Sequence, residues 1–263
     1  MKLVTLIENT TAREDLACEH GLSLYLEVGD RRILFDAGQT GACIDNAEKL
    51  GIDLSKVDMA ILSHGHYDHG GGLSRFLEYN RTAPVYVHRD AFMPHFSGTD
   101  TYIGLDPALL ESGRLVFVEE NVELDKGLSL HACNQSPRYY PLDTAGLKME
   151  QAGLVQPEDF RHEQYLLVEE AGKRICISGC SHKGILNIVR WFTPDVLVGG
   201  FHFMKIDPQG PEAGRLDEAA AVLMELPTVY YTGHCTGLAQ YDYLKQIMGE
   251  RLHAIQTGST FLL

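Results

Sequence analysis

The chain has 263 residues, 44% hydrophobic and 22% charged, with 22 Lys+Arg against 36 Asp+Glu for a formal charge of −14. At roughly 150 residues per domain this means one large domain or two small ones, and the ordinary globular composition excludes a disordered or fibrous chain. The acidity leaves no basic face for nucleic acid or for an anionic membrane surface. No apolar stretch approaches the ~20 residues of a bilayer span. The opening MKLVTLIENTTARED lacks the cationic start and long apolar run of a signal peptide and reads as a first strand. Six cysteines, none in a CxxC pair, are too sparse for a disulfide scaffold. Reduced thiols and a cytoplasmic location are expected.

Leu22, Leu24, Leu26 and Val28 alternate with Ser23, Tyr25 and Glu27, the period of a half-buried strand. Gly29-Asp30 then turns the chain into a second strand at Ile33-Leu34-Phe35. Thr40 to Leu50 reads as a helix, with Cys43, Ala47 and Leu50 on one face and Gly51 as its stop. Ala60-Ile61-Leu62 is a short strand running into Ser63-His64-Gly65-His66-Tyr67-Asp68-His69. From Pro84 to Glu163 the pattern is poor after one strand. This stretch carries His88, Arg89, His95, Tyr102, Arg138, Tyr139 and Tyr140, and a cap or insert is expected within 89–160 of a single domain spanning 1–263. Strands follow at Tyr165-Val168, Ile175-Ile177, Val196-Val198 and Val229-Tyr231, with a helix from Gly184 to Phe192. Helical stripes through Leu216, Ala219, Ala220 and Leu223, and through Leu244, Ile247 and Met248, read as core. The strands at 60–62, 175–177, 196–198 and 229–231 each end in glycine and a potential metal ligand. Sites of layered α/β proteins gather outside the carboxyl ends of strands, so four such endings imply one shared pocket.

The sharpest element is His64-Gly65-His66-Tyr67-Asp68-His69. With 12 histidines in 263 positions, H-x-H-x-D-H arises by chance on the order of once in a thousand such chains. Two imidazoles one residue apart can face the same ion, and Asp68 and His69 can reach a second ion a few ångströms away. Neutral imidazole suits zinc, iron or manganese, while a carboxylate holds a hard cation and can orient its water. Gly65 and Gly70-Gly71-Gly72 permit the tight backbone this requires. The competing motifs (H-E-x-x-H, G-x-S-x-G, a P-loop lysine, a dinucleotide-binding glycine pattern) are missing.

This run resembles the H-x-H-x-D-H signature of the metallo-β-lactamase superfamily. The resemblance implies an α/β fold, a four-layer αββα sandwich, with two divalent metal ions at one edge: zinc first, with iron or manganese as alternatives. Phe35-Asp36-Ala37-Gly38 resembles the family's early Asp motif, whose Asp36 would support the metal loop from behind. Ser178-Gly179-Cys180 stands where the family has Gly-Asp, which implies Cys180 as a bridging ligand. The departure from Asp matters, since a thiolate is softer and becomes ionised beside cations; the alternative is a buried, small, apolar thiol. His234, in TGHCTG, matches the late histidine of the second site. His162 precedes Cys180 at about the family's spacing for its third histidine but lacks the H-x-x-G context, so ligand and surface histidine both remain open. Within the superfamily, GCSHKGILNIV, GGFH and GHCTG resemble the dihydropterin ribofuranosyl-aminobenzene-phosphate synthase-like branch. His182 and Lys183 stand at a helix start, which favours anions, so they are expected to grip a phosphate or carboxylate; for His182 and His202 the alternative is a satisfied polar residue in a loop. His202 would be a ligand or a proton donor, and Arg138, in SPRYYP, would meet phosphate.

The chemistry implied is hydrolysis of a small anionic molecule such as a phosphoester or lactone. Water acidified by two cations is the nucleophile, oriented by Asp68, and the metals carry the developing charge. Two alternatives belong to other classes. One is a transferase joining a dihydropterin diphosphate to an aminobenzene ribotide, and the other is a non-catalytic metal- or redox-sensing protein. The expected partner is the small anionic substrate, with no nucleic acid and no membrane; self-association is left open.

Overall fold

The computed structural model describes residues 1–263. The chain first lays down β1 (Lys2–Ile7), β2 (Ser23–Val28), β3 (Arg31–Phe35), α1 (Ala42–Lys49) and β4 (Met59–Ile61). Then come α2 (Tyr67–Gly70), α3 (Leu73–Tyr79), β5 (Val85–His88), β6 (His95–Ser97), β7 (Thr101–Tyr102) and β8 (Leu115–Val118). The middle continues through β9 (Asn121–Asp125), β10 (Leu128–His131), β11 (Lys148–Gln151) and β12 (Leu154–Pro157). The last part holds β13 (Tyr165–Glu170), β14 (Lys173–Ile177), α4 (Ile185–Phe192), β15 (Val196–Val198) and α5 (Gly214–Met224). It ends with β16 (Val229–Thr232), α6 (Leu238–Met248), β17 (Leu252–Ala254) and β18 (Thr260–Leu262). No helix is long and apolar enough to cross a membrane.

Two seven-stranded sheets result, in the orders β18-β1-β2-β3-β4-β5-β8 and β17-β16-β15-β14-β13-β10-β9. Their inner faces make the central core, where Leu24, Leu26, Phe35 and Ile61 meet Leu130, Leu166, Ile175 and Val198. The outer face of the first sheet packs Tyr25, Leu34 and Ala60 on Cys43 and Ala47 of α1 and Phe76 of α3. The outer face of the second packs Cys176, Leu197 and Tyr230 on Ile188 of α4, Leu216 of α5 and Leu244 of α6. The layer order is therefore αββα. Each fully buried Leu, Ile, Val or Phe contributes about 1.5–3 kcal/mol, so the three apolar interlayers provide the main favourable energy of the fold.

The half-buried reading of residues 22–28 is corrected here. Ser23 and Tyr25 are as buried as Leu24 and Leu26, because α1 and α3 cover the face that alternation alone assigns to water. The hairpin β2–β3 stands as read, with Leu24 opposite Phe35.

In the second sheet β14, β15, β16 and β17 run parallel, as do β3, β4, β5 and β8 in the first. The residues following β4, β14 and β16 meet at one edge of the sandwich. A third sheet, β12-β11-β6-β7, joins residues 95–102 to 148–157, within the stretch that lacked a pattern.

Candidate metal centre

The run after β4 bends through residues 63–65, is extended at His66 and then coils into the single turn α2, so Asp68 and His69 sit on helix rather than loop. Gly65 is required by a close approach: a Cβ there would lie 2.1 Å from the Ala91 carbonyl oxygen. Gly179 serves the opposite wall, where a Cβ would lie 2.2 Å from Ser63 Oγ. Absent side chains thus let neighbouring loops of the first sheet close at Gly65 and the loops of the two sheets close at Gly179.

Two groups of buried donors converge here. His64, His66 and His182 form one, and Asp68, His69, Cys180 and His234 the other, the ligand atoms of each lying within 4.8 Å of one another. Adjacent donors are closer still. His69 Nε2 is 3.1 Å from His234 Nε2 and 3.2 Å from Cys180 Sγ, and His182 Nε2 is 3.3 Å from His64 Nε2.

The far side of each ring shows which nitrogens carry protons. His69 Nδ1 donates to Asp36 Oδ2 at 2.7 Å. Ser63 Oγ also donates to that oxygen at 2.7 Å, so the hydroxyl accepts from His64 Nδ1 at 2.8 Å. Asn9 Oδ1 already accepts the Gly21 N–H and takes His234 Nδ1 at 2.8 Å. His66 Nε2 faces Glu158 Oε2 at 3.3 Å. With those protons placed outward, His64, His69 and His234 turn bare Nε2 lone pairs inward. Lone pairs 3.1 Å apart in a dry interior repel unless a proton or a cation lies between them. The donor set therefore fits a cation.

Electrostatics agree. Burial, then the neighbouring imidazoles, hold His64 and His182 well below the ordinary histidine pKa. His202 is lowered to about 4, again first by burial. All three are neutral near pH 7, the form that ligates metal. Asp68 stays ionised: burial opposes its charge, but His69 and His234 outweigh it. Burial likewise works against charge on His234, yet the Asp68 carboxylate, 3.3 Å from its Nε2, and the adjacent Cys235 raise its pKa. Positive charge is favoured at that point. Burial pushes the Cys180 thiol up, so a cation is what would ionise it.

Backbone strain is found at the same edge. Asp36, Ser181, His202 and His234 have φ of 58°, 59°, 59° and 50°, a left-handed conformation that costs non-glycine residues about 1–3 kcal/mol each. Anchors hold it in place. Glu8 Oε1 accepts the His234 N–H at 2.6 Å, and Glu163 accepts the backbone N–H groups of His182 and Lys183 at 2.7 and 2.9 Å.

Several residues sit elsewhere than the sequence suggested. His182 was read as an anion-binding group; it stands with His64 and His66, its ring stacked on Phe160 at 4.5 Å. His162 lies behind His66 instead: its Nδ1 accepts the Gly65 N–H at 2.8 Å and its Nε2 meets Glu158 at 2.6 Å, so both nitrogens are engaged by protein. Lys183 is corrected from substrate-binding to a sealed strut, donating to Ala132 O, Asn134 Oδ1 and Glu163 O with no solvent exposure. Burial lowers its pKa to about 8. Arg138 is exposed and lines a separate polar depression with His88 and Arg161. His202 packs on His182 with ring centroids 4.3 Å apart.

Sequence reasoning missed His20, half exposed, whose Nε2 lies 3.4 Å from Asp68 Oδ2. It also missed Glu8, Asn9, Glu158 and Glu163, none of which falls in a motif. Ser63 alone had a signal, its place beside His64.

Four layers with a cluster of histidines, a carboxylate and a thiol at one sheet edge define an α/β sandwich with a candidate metal centre. The family model of the metallo-β-lactamase superfamily matches residues 17–145 of this chain. The chain is 28% identical to an uncharacterized protein of Methanocaldococcus jannaschii (MJ0448) over 254 residues, 93% of this chain and 94% of that one. It is 29% identical to the same organism's 7,8-dihydropterin-6-methyl-4-(beta-D-ribofuranosyl)-aminobenzene-5'-phosphate synthase, over 97% of this chain and 95% of that protein. Among solved structures it resembles Tm1679, a metal-dependent hydrolase of the β-lactamase superfamily, with TM-score 0.82 and 26% identity over 100% of this chain and 99% of that one.

Proposed function

We propose that this protein is a binuclear metal-dependent hydrolase of a small anionic molecule, a phosphoester or lactone. One observation carries the reading: imidazole nitrogens converge at 3.1 to 3.3 Å, and the other nitrogens of His64, His69 and His234 are tied to outward partners. His64, His66 and His182 would hold one cation, and Asp68, His69, Cys180 and His234 the other. The imidazole and thiolate donors favour zinc, with iron or manganese as alternatives. Such a pair, when bound, supplies Lewis acidity that acidifies water and draws charge from a substrate oxygen.

The chain's own residues do the rest. Asp68, held ionised, accepts a hydrogen bond from the attacking water and orients it. His202, neutral near pH 7, offers a ring N–H to a substrate oxygen rather than a full proton. A cavity of about 200 Å³ opens beside these groups, walled by Tyr140, Ile185, Phe201 and Phe203, with His182 and His202 in its lining. Arg215 lies on its rim, paired to Asp143 at 2.5 Å. An apolar body with one anionic end fits that lining.

Metal content of protein purified without chelator tests the reading. Wild type should carry about two equivalents and Cys180→Ala one or fewer; one equivalent or less in wild type, unchanged by the substitution, would refute a binuclear centre. Phosphoesters and lactones should then be screened for turnover.

The likeness to the dihydropterin synthase over 97% of this chain favours a second reading. In it, diphosphate leaves a dihydropterin as an aminobenzene ribotide attacks. Pterin-dependent diphosphate release would select it. A loaded centre inert toward both substrate sets would leave the sensing role.

A further inference from the structure

Behind His66 lies a second buried group that the proposed chemistry does not use. Glu158 is 1% exposed and faces three histidines: His162 Nε2 at 2.6 Å, His95 Nδ1 at 2.7 Å and His66 Nε2 at 3.3 Å. Such a cluster resembles a third cation site, but the protons argue otherwise. His162 Nδ1 accepts the Gly65 N–H, so its Nε2 carries the proton and donates to Glu158, with no lone pair left for a metal. The two carboxylate oxygens take His162 and His66 separately, while His95 Nδ1 lies close by without a hydrogen bond.

We infer that Glu158 is the positioning residue of the first half of the metal centre, fixing His66 as the Nε2–H tautomer so that Nδ1 faces the ion. The inference rests on the metal-centre reading and deepens it. The carboxylate comes from the third sheet: Glu158 directly follows β12, its N–H donates to Leu147 O at 3.1 Å, and His95 opens β6 opposite Met149 of β11. The small sheet therefore carries a partner of a metal ligand rather than only standing over the centre. By linkage, what steadies one steadies the other: cation binding favours docking of this sheet, and a docked sheet favours the cation.

Two experiments decide it. Nitrogen-15 spectra of metal-free wild type report the His66 tautomer without any ion; Nε2–H is expected, and Nδ1–H overturns the inference. Zinc titration then compares wild type with Glu158→Gln, with amide exchange followed across 95–102 and 148–158. The amide presents an NH2 group in place of one oxygen and cannot accept from both His162 and His66, so zinc affinity of the first half should fall about 10–100-fold, and zinc-induced protection of the small sheet should shrink. Equal affinity in the two proteins would refute the inference while leaving the binuclear reading intact. A wild type that binds no zinc would instead remove the reading itself. A third equivalent in wild type, lost with Glu158, would replace the positioning role by a cation site.

Discussion

The two walls of the metal centre are built in opposite ways. The first sheet delivers His64, His66, Asp68 and His69 in one run between β4 and the end of α2. The second delivers Cys180 and His182 from the loop after β14 and His234 from another loop, after β16. The contiguous wall is steadied by side chains on the far nitrogens of its rings: Asp36 through His69 and Ser63, and Glu158 through His66. The dispersed wall is steadied chiefly through its backbone, with carboxylates gripping the amides of His182 and His234 and strained φ at Ser181 and His234; of its two rings only His234 has its far nitrogen held, by Asn9. One wall is a motif whose rings need orienting. The other is a set of loops whose paths need fixing.

The largest expected effect breaks the contiguous wall. His64→Ala removes a ring that faces His182 across 3.3 Å, and kcat/KM should fall on the order of 10³-fold or more as charge stabilisation is lost. Cys180→Ala, on the dispersed wall, should strip one equivalent while the trio of His64, His66 and His182 keeps its own. Equal metal loss from both variants, by elemental analysis, would show that the walls do not load separately.

Next comes the support. Asp36 accepts the Ser63 N–H and the Ser63 hydroxyl, each at 2.7 Å, as well as His69 Nδ1. It is the one carboxylate that serves both half-sites. Asp36→Asn should weaken both cations about 10–100-fold, read by competition with a chelator. Weakening confined to one cation would mean that Ser63 orients His64 without Asp36.

A smaller effect appears in the metal-free protein as a function of pH. His162 is lowered to about 3 and His202 to about 4, burial being the first cause for both, against roughly 6.5 in an unfolded chain. Below 6.5 the unfolded chain takes up protons that the folded one refuses, so stability is full above that pH and drains as pH falls toward 3–4. Between pH 7.5 and 5, Tm in chelator should drop roughly 5–10 °C. A flat profile would mean that these rings charge in the folded state.

The same contrast explains what could be read from residues alone. The layers and the contiguous run were legible, because periodicity marks core faces and H-x-H-x-D-H is one local string. Cys180 and His234 became candidates through the strands that precede them. His182, read as an anion-gripping group, stands in the donor set, and His162, left open as a ligand, stands behind it, because sequence separation does not say which ring nitrogen the backbone will claim. Gly65 N–H claims Nδ1 of His162, a contact across 97 positions. Glu8, Asn9 and Glu158 were illegible for the same reason: each acts on a histidine from a distant element, with no spacing to betray it.

Arg138 sets the lower end of the scale. Its guanidinium fork suits phosphate in principle, and a neighbouring Tyr140 does line the cavity beside His182. Yet Arg138 itself is exposed and shares its depression with Arg89, Arg161, Glu119 and Asp159. There Arg161 is already paired to Asp159 and Arg89 to Glu119, so an anion would face carboxylates as well as cations. Arg138→Ala should change stability by no more than about 0.5 kcal/mol, as surface substitutions do, and leave KM for an anionic substrate within about twofold. Arg215→Ala, at the cavity rim, makes the sharper comparison: if KM rises there and not at Arg138, anion recognition lies with the wall that carries His182 and His202. A rise at Arg138 alone would move it to the other face and dissociate the cavity from the substrate's charge.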